Sequence, residues 1–163
     1  MDEKDLLLLH LLEENSRLSI GELAVMTELG PQDAECRIAA LEAAGIIRSY
    51  NALVDWERAG TGEVAAIIEL KVNPERDYGY DRIAERISRF RQVRSLRLIT
   101  GTYDLQIIVT GKSMQDIARF VSEYIAPMDR IRETATHIVM KSYKENGHAF
   151  LEKESGERIP FSP

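Results

Sequence analysis

The sequence predicts an α+β protein in which an N-terminal winged helix-turn-helix domain precedes a C-terminal ferredoxin-like βαββαβ domain. Three observations predict this class. Residues 1–54 contain three short helix patterns followed by an extended segment. Residues 63–143 contain strand-like runs and two helix patterns in the order βαββαβ. The glycine-containing linker, residues 55–62, separates the two parts, and residues 144–163 form a charged tail in a chain of 163 residues, enough for two small domains.

Each of the three N-terminal helices is delimited by residues suited to its ends. Asp2 can cap the first helix, and Ser19 with Glu22 forms a capping box at the start of the second. Pro31 suits the first turn of the third helix, where its missing N–H costs nothing, and Gly45 ends that helix. A generic three-helix bundle is the alternative, but residues at these boundaries favour the helix-turn-helix.

The extended segment, residues 46–54, is predicted to be the strand of the wing. Its residues alternate, so that Arg48 and Tyr50 are available at the surface. Three short helices followed by such a strand are typical of a winged helix-turn-helix.

The second domain is predicted from apolar alternation. Its first strand covers residues 63–72 and its last covers residues 131–143. Between them lie a helix over residues 80–90, a central hairpin, and a helix capped by Ser113. Two such βαβ halves form a ferredoxin-like sheet with helices on one face. Because the other face must also be covered, we expect at least a homodimer.

A polar turn at the tip of the central hairpin is formed by Gly101, Thr102, Tyr103, Asp104 and Leu105. Glycine permits a positive φ and a close backbone approach, while the tyrosine and the aspartate offer a ring, a hydroxyl and a carboxylate. Together these groups could hold a small zwitterion. A plain hairpin turn with a satisfied aspartate is the simpler interpretation of so short a motif.

Composition and charge argue against several classes of protein. No apolar run approaches the ~20 residues that cross a bilayer, and the acidic amino terminus does not resemble a signal peptide, so we expect a cytoplasmic protein without a membrane partner. The single Cys36 and three scattered histidines lack ligand spacing, so we expect no metal site and no cofactor. Residues 1–58 carry five Lys/Arg against twelve Asp/Glu, a balance of −7, while the whole chain carries −6.

Five motifs carry a family resemblance. They are Asp5-x-x-Leu8-Leu9-x-Leu11-Leu12, the helix start from Ser19 to Ala24, Leu29-Gly30-Pro31, Arg37-Ile38-x-x-Leu41-Glu42 and Gly45-Ile46-Ile47-x-x-Tyr50. On these motifs the chain resembles the Lrp/AsnC (leucine-responsive and asparagine-regulator) family of transcription factors, with similarity through both halves. The resemblance implies a third helix that enters the DNA major groove, dimers through the sheets, larger rings of dimers, and an effector amino acid held where dimers meet.

The resemblance also implies two sets of site residues, one for double-stranded DNA and one for a small amino acid. No catalytic residue is expected. The effector-binding candidates are Gly101, Tyr103, Asp104, Leu105, Thr134 and Thr136. The DNA-binding candidates are Gln32, Asp33, Glu35, Cys36, Arg37, Arg48 and Tyr50.

The chemistry of these side chains suits the implied partners. Arg37 could contact guanine, Gln32 could contact adenine, and Asp33 or Glu35 could accept from cytosine N4. In the effector site, backbone N–H groups and threonine hydroxyls could bind a carboxylate, while Asp104 could accept from an ammonium group. Threonines are also ordinary strand residues, which is the alternative for that pair.

The third helix departs from the family pattern, which commonly has Ser, Thr and several Arg on this face. Asp33 and Glu35 would oppose contacts to phosphate. The alternative function is therefore an amino acid sensor with weak or lost DNA binding that acts through protein partners. An enzyme is a third class, because some tetrapyrrole decarboxylases resemble this family over both domains. His137 and Arg97 would then line a pocket, but His137 is more simply an ordinary strand residue, and we expect no enzyme.

Residues 76–97 are rich in arginine. The simplest interpretation is a solvated surface that is partly paired with Asp81 and Glu85. A sharper interpretation is a surface that attracts the acidic N-terminal domain of a neighbouring copy. The arginines are Arg76, Arg82, Arg86, Arg89, Arg91, Arg94 and Arg97.

Overall fold

The computed structural model describes residues 1–151, and the chain forms two compact units that divide between Leu53 and Val54. The first unit is helical, and the second contains a four-stranded sheet with its helices. The predicted α+β class, with a helix-turn-helix followed by a ferredoxin-like domain, is confirmed. None of the helices in the described part of the chain has the length and apolarity needed to cross a bilayer.

The first unit consists of α1 (Glu3–Glu14), α2 (Ile20–Thr27) and α3 (Pro31–Ala43). The helices begin at the predicted caps. The Asp2 carboxylate accepts a 2.9 Å hydrogen bond from the Asp5 backbone N–H, and the Asp5 carboxylate accepts a 2.8 Å bond from the Asp2 N–H. Ser19 and Glu22 make the same exchange at α2. Each exchange satisfies N–H groups that have no partner within the helix.

The core of the first unit takes one large side chain from each helix. Leu8, Leu23 and Ile38 are buried together. The buried Thr27 hydroxyl donates a 2.7 Å hydrogen bond to the Leu23 carbonyl oxygen, so the one buried polar side chain of this unit is satisfied. Burial of one leucine or isoleucine from each helix fixes how the three helices pack.

Helix α3 ends at Ala43, and Gly45, two residues later, has a positive φ of 66°. The Gly45 N–H donates to the Glu42 carbonyl oxygen and the Ile46 N–H donates to the Leu41 carbonyl oxygen, each at 2.9 Å, which is a Schellman motif. The strand predicted over residues 46–54 does not form. Its first N–H groups cap α3, and no described segment supplies a partner strand, so the segment stays irregular.

The second unit consists of β1 (Val64–Val72), α4 (Asp81–Ser88), β2 (Val93–Leu98), β3 (Leu105–Gly111), α5 (Met114–Phe120) and β4 (Ile131–Ile138). The four strands pair antiparallel in the order β2-β3-β1-β4. A π-helical turn, Val121–Ile125, extends α5. The two βαβ halves therefore interleave, with β1 and β3 at the centre of the sheet.

Alternate residues of the two central strands form the core under α4 and α5. Ile68 pairs with Ile107, and both side chains are fully buried. Residues at the positions between them, such as Ile67 and Ile108, are only partly buried on the face without helices. The buried set is Ala66, Ile68, Leu70, Val72, Ile83, Ile87, Leu105, Ile107, Val109, Ile117, Phe120, Ile125 and Met128.

The last strand is shorter than predicted. It ends at Ile138 rather than at residue 143, and the Val139 N–H makes a final 2.9 Å hydrogen bond to the Ala65 carbonyl oxygen. Since β1 begins at Val64, later residues have no strand left to pair with. Helix α4 is also shorter than the predicted residues 80–90.

The predicted C-terminal tail contains a small hairpin. Strands β5 (Lys144–Glu145) and β6 (His148–Ala149) pair around Asn146 and Gly147, whose φ angles are 45° and 85°. Asn-Gly with two positive φ angles is the preferred two-residue hairpin turn. The Asn146-Gly147 pair therefore indicates a hairpin, and the prediction of a tail over these residues was wrong. The rest of the predicted tail, residues 152–163, lies outside the described residues.

Two glycine substitutions in the first unit are expected to change stability in opposite directions. Gly45→Ala places a Cβ at a φ of 66° and should lower the free energy of unfolding by about 1–2 kcal/mol. Gly21→Ala, within α2, should raise it by up to about 1 kcal/mol because alanine favours the helix. Urea denaturation of both variants checks this. Equal effects of the two substitutions would contradict the assigned end of α3.

Candidate functional site

The candidate DNA-reading surface lies on α3. Gln32, Asp33, Glu35 and Cys36 are all exposed, while Ala34 and its neighbours on the other face are buried. The structure therefore brings the four predicted residues to the solvent side of one helix. Two of the four carry carboxylates, and none carries a positive charge.

Arg37 lies on the same helix but is engaged within the unit. Its guanidinium donates 2.8 Å hydrogen bonds to the carboxylates of Asp2 and Asp5, and its Nε donates at 3.2 Å to Asp33. Its side chain retains only 28% of its exposure. Arg37 thus joins α3 to the N-terminal cap of α1, and the same carboxylates cap α1.

The contacts of Arg37 shift the pKa values of the groups that make them. The hydrogen bond from Arg37, and then that from the Asp5 N–H, lower the pKa of Asp2 to about 2. The hydrogen bonds to Asp2 and Asp5 in turn raise the pKa of Arg37 above its ordinary value. The predicted guanine-contacting side chain therefore holds three carboxylates instead of presenting a free guanidinium. Local sequence patterns could not reveal this, because Arg37 is 32 residues from Asp5 along the chain.

The two DNA-binding candidates that lie outside α3, Tyr50 and Arg48, differ in their contacts. The Tyr50 hydroxyl donates a 2.8 Å hydrogen bond to Glu42, and partial burial, followed by this carboxylate, raises the pKa of Tyr50 to about 12. Arg48 is exposed and forms no ion pair with any residue in 1–151. Arg48 is thus the available cation of this surface.

The candidate effector loop joins β2 to β3 and is fixed to the end of β1. Gly101 has a φ of 128°, which a side chain would disfavour. The Ile99 N–H donates to the Asp104 carbonyl oxygen at 2.8 Å, and the Asp104 N–H donates to the Leu70 carbonyl oxygen at 3.0 Å. The loop is therefore an extension of the sheet's backbone hydrogen bonds.

The Asp104 carboxylate is the main side-chain anchor of this loop. It accepts from the Val72 N–H at 2.8 Å, the Tyr80 hydroxyl at 3.3 Å and the Lys71 ammonium at 3.5 Å. The Val72 hydrogen bond, and then the charge of Lys71, lower the pKa of Asp104. Burial, followed by the Asp104 charge, raises the pKa of Tyr80.

Two further contacts complete the loop. The Lys71 ammonium donates a 2.6 Å hydrogen bond to the Thr102 carbonyl oxygen, and the Tyr103 hydroxyl donates to Glu133 at 3.3 Å. Partial burial, and then the Glu133 charge, raise the pKa of Tyr103. Sequence reasoning missed Lys71, Tyr80 and Glu133. A signal existed only in the strand register, which pairs Lys71 with Glu133.

The two candidate threonines belong to another cavity. Thr134 and Thr136 pair with Leu70 and Ile68, so they lie on the helix side of the sheet. They line a cavity of about 370 Å³ between β4 and α5. Gly101, Tyr103, Asp104 and Leu105 do not line it. The other lining residues are Met114, Ile117, Ala118, Val121, Ser122, Ala126 and Ile138.

The residues considered for an enzyme are not brought together. His137, on β4, contacts the Glu69 carboxylate at 3.2 Å and lines a cavity of about 660 Å³ with Ile67 and Tyr143. Arg97 lies on β2, at the other edge of the sheet. Three strand spacings separate the two edges, or roughly 14 Å. Within residues 1–151 no group of three or more His, Cys, Asp or Glu side chains could hold a metal ion.

Comparisons with known proteins agree with this architecture. Residues 1–42 match the AsnC-type helix-turn-helix domain, and residues 65–149 match the Lrp/AsnC ligand binding domain. The uncharacterized HTH-type transcriptional regulator YugG of Bacillus subtilis is 38% identical over 164 aligned residues, covering 100% of this chain and 99% of that protein. An uncharacterized HTH-type transcriptional regulator of Pyrococcus horikoshii is 32% identical, covering 91% of each chain.

A solved structure adds a ligand-bound relative. The transcriptional regulator NMB0573 of Neisseria meningitidis, in complex with L-Met, superposes with a TM-score of 0.70 at 27% identity, over 92% of this chain and 94% of that one. Both halves of the chain thus match in order and nearly in full. The protein belongs to the Lrp/AsnC family of transcriptional regulators, with an AsnC-type helix-turn-helix domain and an Lrp/AsnC ligand binding domain.

Proposed function

We propose that this regulator binds specific DNA sequences through residues 1–54 and responds to a small amino acid through residues 63–143, with residues 55–62 as the linker. The amino acid changes its DNA affinity or its oligomeric state. The observation that carries this proposal is the presence of both family domains in one chain, together with the relative solved in complex with L-Met. No catalytic residue enters the proposal.

On the DNA side, α3 supplies base contacts and little attraction to phosphate. Gln32 can pair with adenine, and Asp33 or Glu35 can accept from cytosine N4. Arg37 keeps α3 fixed against α1 in this structure. Arg48 and backbone N–H groups remain for phosphate contacts. Cys36 and Tyr50 complete the proposed surface.

On the effector side, the separation of the loop from the threonines suggests a site shared between protomers. The loop's backbone and the hydroxyls of Thr134 and Thr136 would bind the ligand carboxylate. Asp104 already accepts from three donors, so it orients the loop and offers only its remaining acceptor capacity to the ammonium. A homodimer, assembled into larger rings of dimers, would bring one protomer's loop to another's threonines.

DNA binding tests the proposed function directly. We expect the full chain to retain a duplex from its own promoter, with an affinity that falls steeply as salt rises. Fluorescence anisotropy against genomic fragments measures this. Retention of no fragment at low salt would contradict it and favour a sensor that acts through protein partners.

A thermal-shift screen of the twenty amino acids tests the effector. A ligand at 100 times its dissociation constant should stabilise the fold by roughly 2.7 kcal/mol. The same ligand should then change DNA retention in the anisotropy assay. A screen in which all twenty amino acids leave the unfolding temperature unchanged would contradict an amino acid effector.

A second candidate function is an amino acid sensor that acts through protein partners. The acidic face of α3 favours it, because Asp33 and Glu35 are exposed and Arg37 is held by carboxylates. Ligand binding in the thermal-shift screen without retention of any duplex is the outcome that selects it.

Arg37→Met distinguishes a positioning role from base reading. We expect a lower unfolding temperature, because three carboxylates lose their shared cation, and weaker promoter binding with an unchanged order of preferred bases. Arg37→Lys should restore little, since an ammonium lacks the planar fork. Arg48→Met, at an exposed arginine, is the control and should leave the unfolding temperature unchanged. A loss of about 1–3 kcal/mol of discrimination at a single base pair would instead identify Arg37 as a base reader.

Asp104→Asn is expected to reduce stability in a pH-dependent way. The pKa of Asp104 is lowered in the folded state, so its contribution is present above the ordinary value of 3.8 and is lost as pH falls through the folded-state value. The stability difference between wild type and variant should therefore be largest near neutral pH and shrink in acid. Thermal unfolding from about pH 7 to about pH 2.5 measures it.

Asp129→Asn is the matched control for this series. Asp129 is exposed, and its side chain has no hydrogen bond to the described residues. The control removes the same charge without touching the loop. A pH-independent difference for Asp104→Asn, or an equal effect of both variants, would contradict the assigned anchor.

A further inference from the structure

The C-terminal unit carries a concentrated positive surface that the proposed ligand site does not use. Residues 86–97 contain five arginines and no Asp or Glu. One of the five, Arg89, forms a 2.6 Å ion pair with Glu85. The other four are exposed and form no ion pair within residues 1–151. We call these four the arginine band: Arg86, Arg91, Arg94 and Arg97.

The topology places the band along one edge of the sheet. Arg86 lies near the end of α4, Arg91 lies in the turn, and β2 begins at Val93, directly after it. Arg94 lies where the register between β2 and β3 shifts, and Arg97 lies farther along β2. Since β2 is an edge strand, Arg94 and Arg97 lie where no other described strand pairs with the sheet. The register pairs Arg97 with Gln106, which places the Arg97 side chain on the face of the sheet without helices.

Protection of an edge strand explains only part of this arrangement. Charged side chains and bulges on edge strands prevent pairing with other chains, which accounts for Arg94 and Arg97. It does not account for Arg86 on α4 or Arg91 in the turn. The use of arginine at all four positions, without lysine, suits planar bidentate contacts to carboxylate or phosphate.

DNA binding by this protein requires phosphate contacts that α3 does not supply. Neutralised phosphates provide essentially all non-specific affinity. The exposed face of α3 presents Asp33 and Glu35, and its one arginine is held by three carboxylates. The arginine band brings four guanidinium groups without ion pairs to described residues into one stretch, residues 86–97, that contains no Asp or Glu. It lies in the unit that the linker joins to the helix-turn-helix.

We propose that the arginine band binds the phosphate backbone of DNA and supplies sequence-independent affinity, while α3 selects the sequence. This inference rests on the proposed function as a DNA-binding regulator. The acidic N-terminal unit of another copy is a weaker fit as the partner. Its Asp2, Asp5 and Asp33 carboxylates are already paired with Arg37.

The test compares two charge-matched variants of the full chain. The band variant carries Arg86→Gln, Arg91→Gln, Arg94→Gln and Arg97→Gln. The control variant loses the same charge from exposed arginines elsewhere in the unit, through Arg76→Gln, Arg119→Gln, Arg130→Gln and Arg132→Gln. Anisotropy titrations use a promoter duplex and a scrambled duplex of equal length over a series of salt concentrations. A double variant, Arg91→Gln with Arg94→Gln, replaces the band variant if circular dichroism shows that four changes disturb folding.

We expect the band variant to bind both duplexes at least about tenfold more weakly at ~0.1 M salt, with unchanged preference for the promoter. The slope of log K against log salt should become less steep by about 0.9 for each phosphate that the variant no longer neutralises, while the control variant should keep the wild-type slope. The double variant should show roughly half of the change.

Several results would overturn the proposal. If the wild type binds the promoter but the band variant keeps its slope, the band does not contact DNA, although the proposed function stands. An unchanged slope together with altered sedimentation in the absence of DNA would assign the band to contacts between copies. If the wild type binds no duplex at any salt, both the proposed function and this inference fail.

Discussion

The central strand β1 is the element on which the second unit depends. It pairs with β3 along one side and β4 along the other, and Ile68 and Leu70 are fully buried beneath the helices. The end of the same strand holds the candidate effector loop, because the Leu70 carbonyl oxygen and the Val72 N–H bond Asp104. Core packing and loop geometry are therefore linked through one strand. A change in the loop must either break these bonds or move β1.

The first unit has a comparable link, made by charge. Arg37 joins α3 to the cap of α1, so the orientation of α3 depends on Asp2 and Asp5. Exposed ion pairs contribute little singly, but one guanidinium shared by several carboxylates is a network with fixed geometry. In both units a residue of the predicted site proves to be a structural anchor. Arg37 and Asp104 position the surfaces they were expected to form.

Local sequence patterns predicted most helices and strands, but they could not predict contacts between residues that are distant along the chain. Caps such as Ser19 with Glu22 fix helix starts because their hydrogen bonds span only three residues. Alternation of apolar residues predicted the buried face of β1 because successive side chains of a strand point to opposite faces of the sheet. The wing strand failed because a strand needs a partner, and the partners of Arg37 and Asp104 depend on tertiary packing. The Asn146-Gly147 hairpin was predictable, since its signal is entirely local.

The separation of loop and threonines bears on how a ligand could control the protein. A ligand shifts an equilibrium only by its differential affinity for the two states. If the loop of one protomer and Thr134 of another complete one site, the ligand binds the assembled form more tightly and so favours assembly. Assembly multiplies the helix-turn-helix domains available to one duplex, which raises avidity without any new base contact. For the proposed function, low DNA affinity of a single helix-turn-helix domain is therefore an advantage. DNA binding then depends on how many copies the ligand holds together.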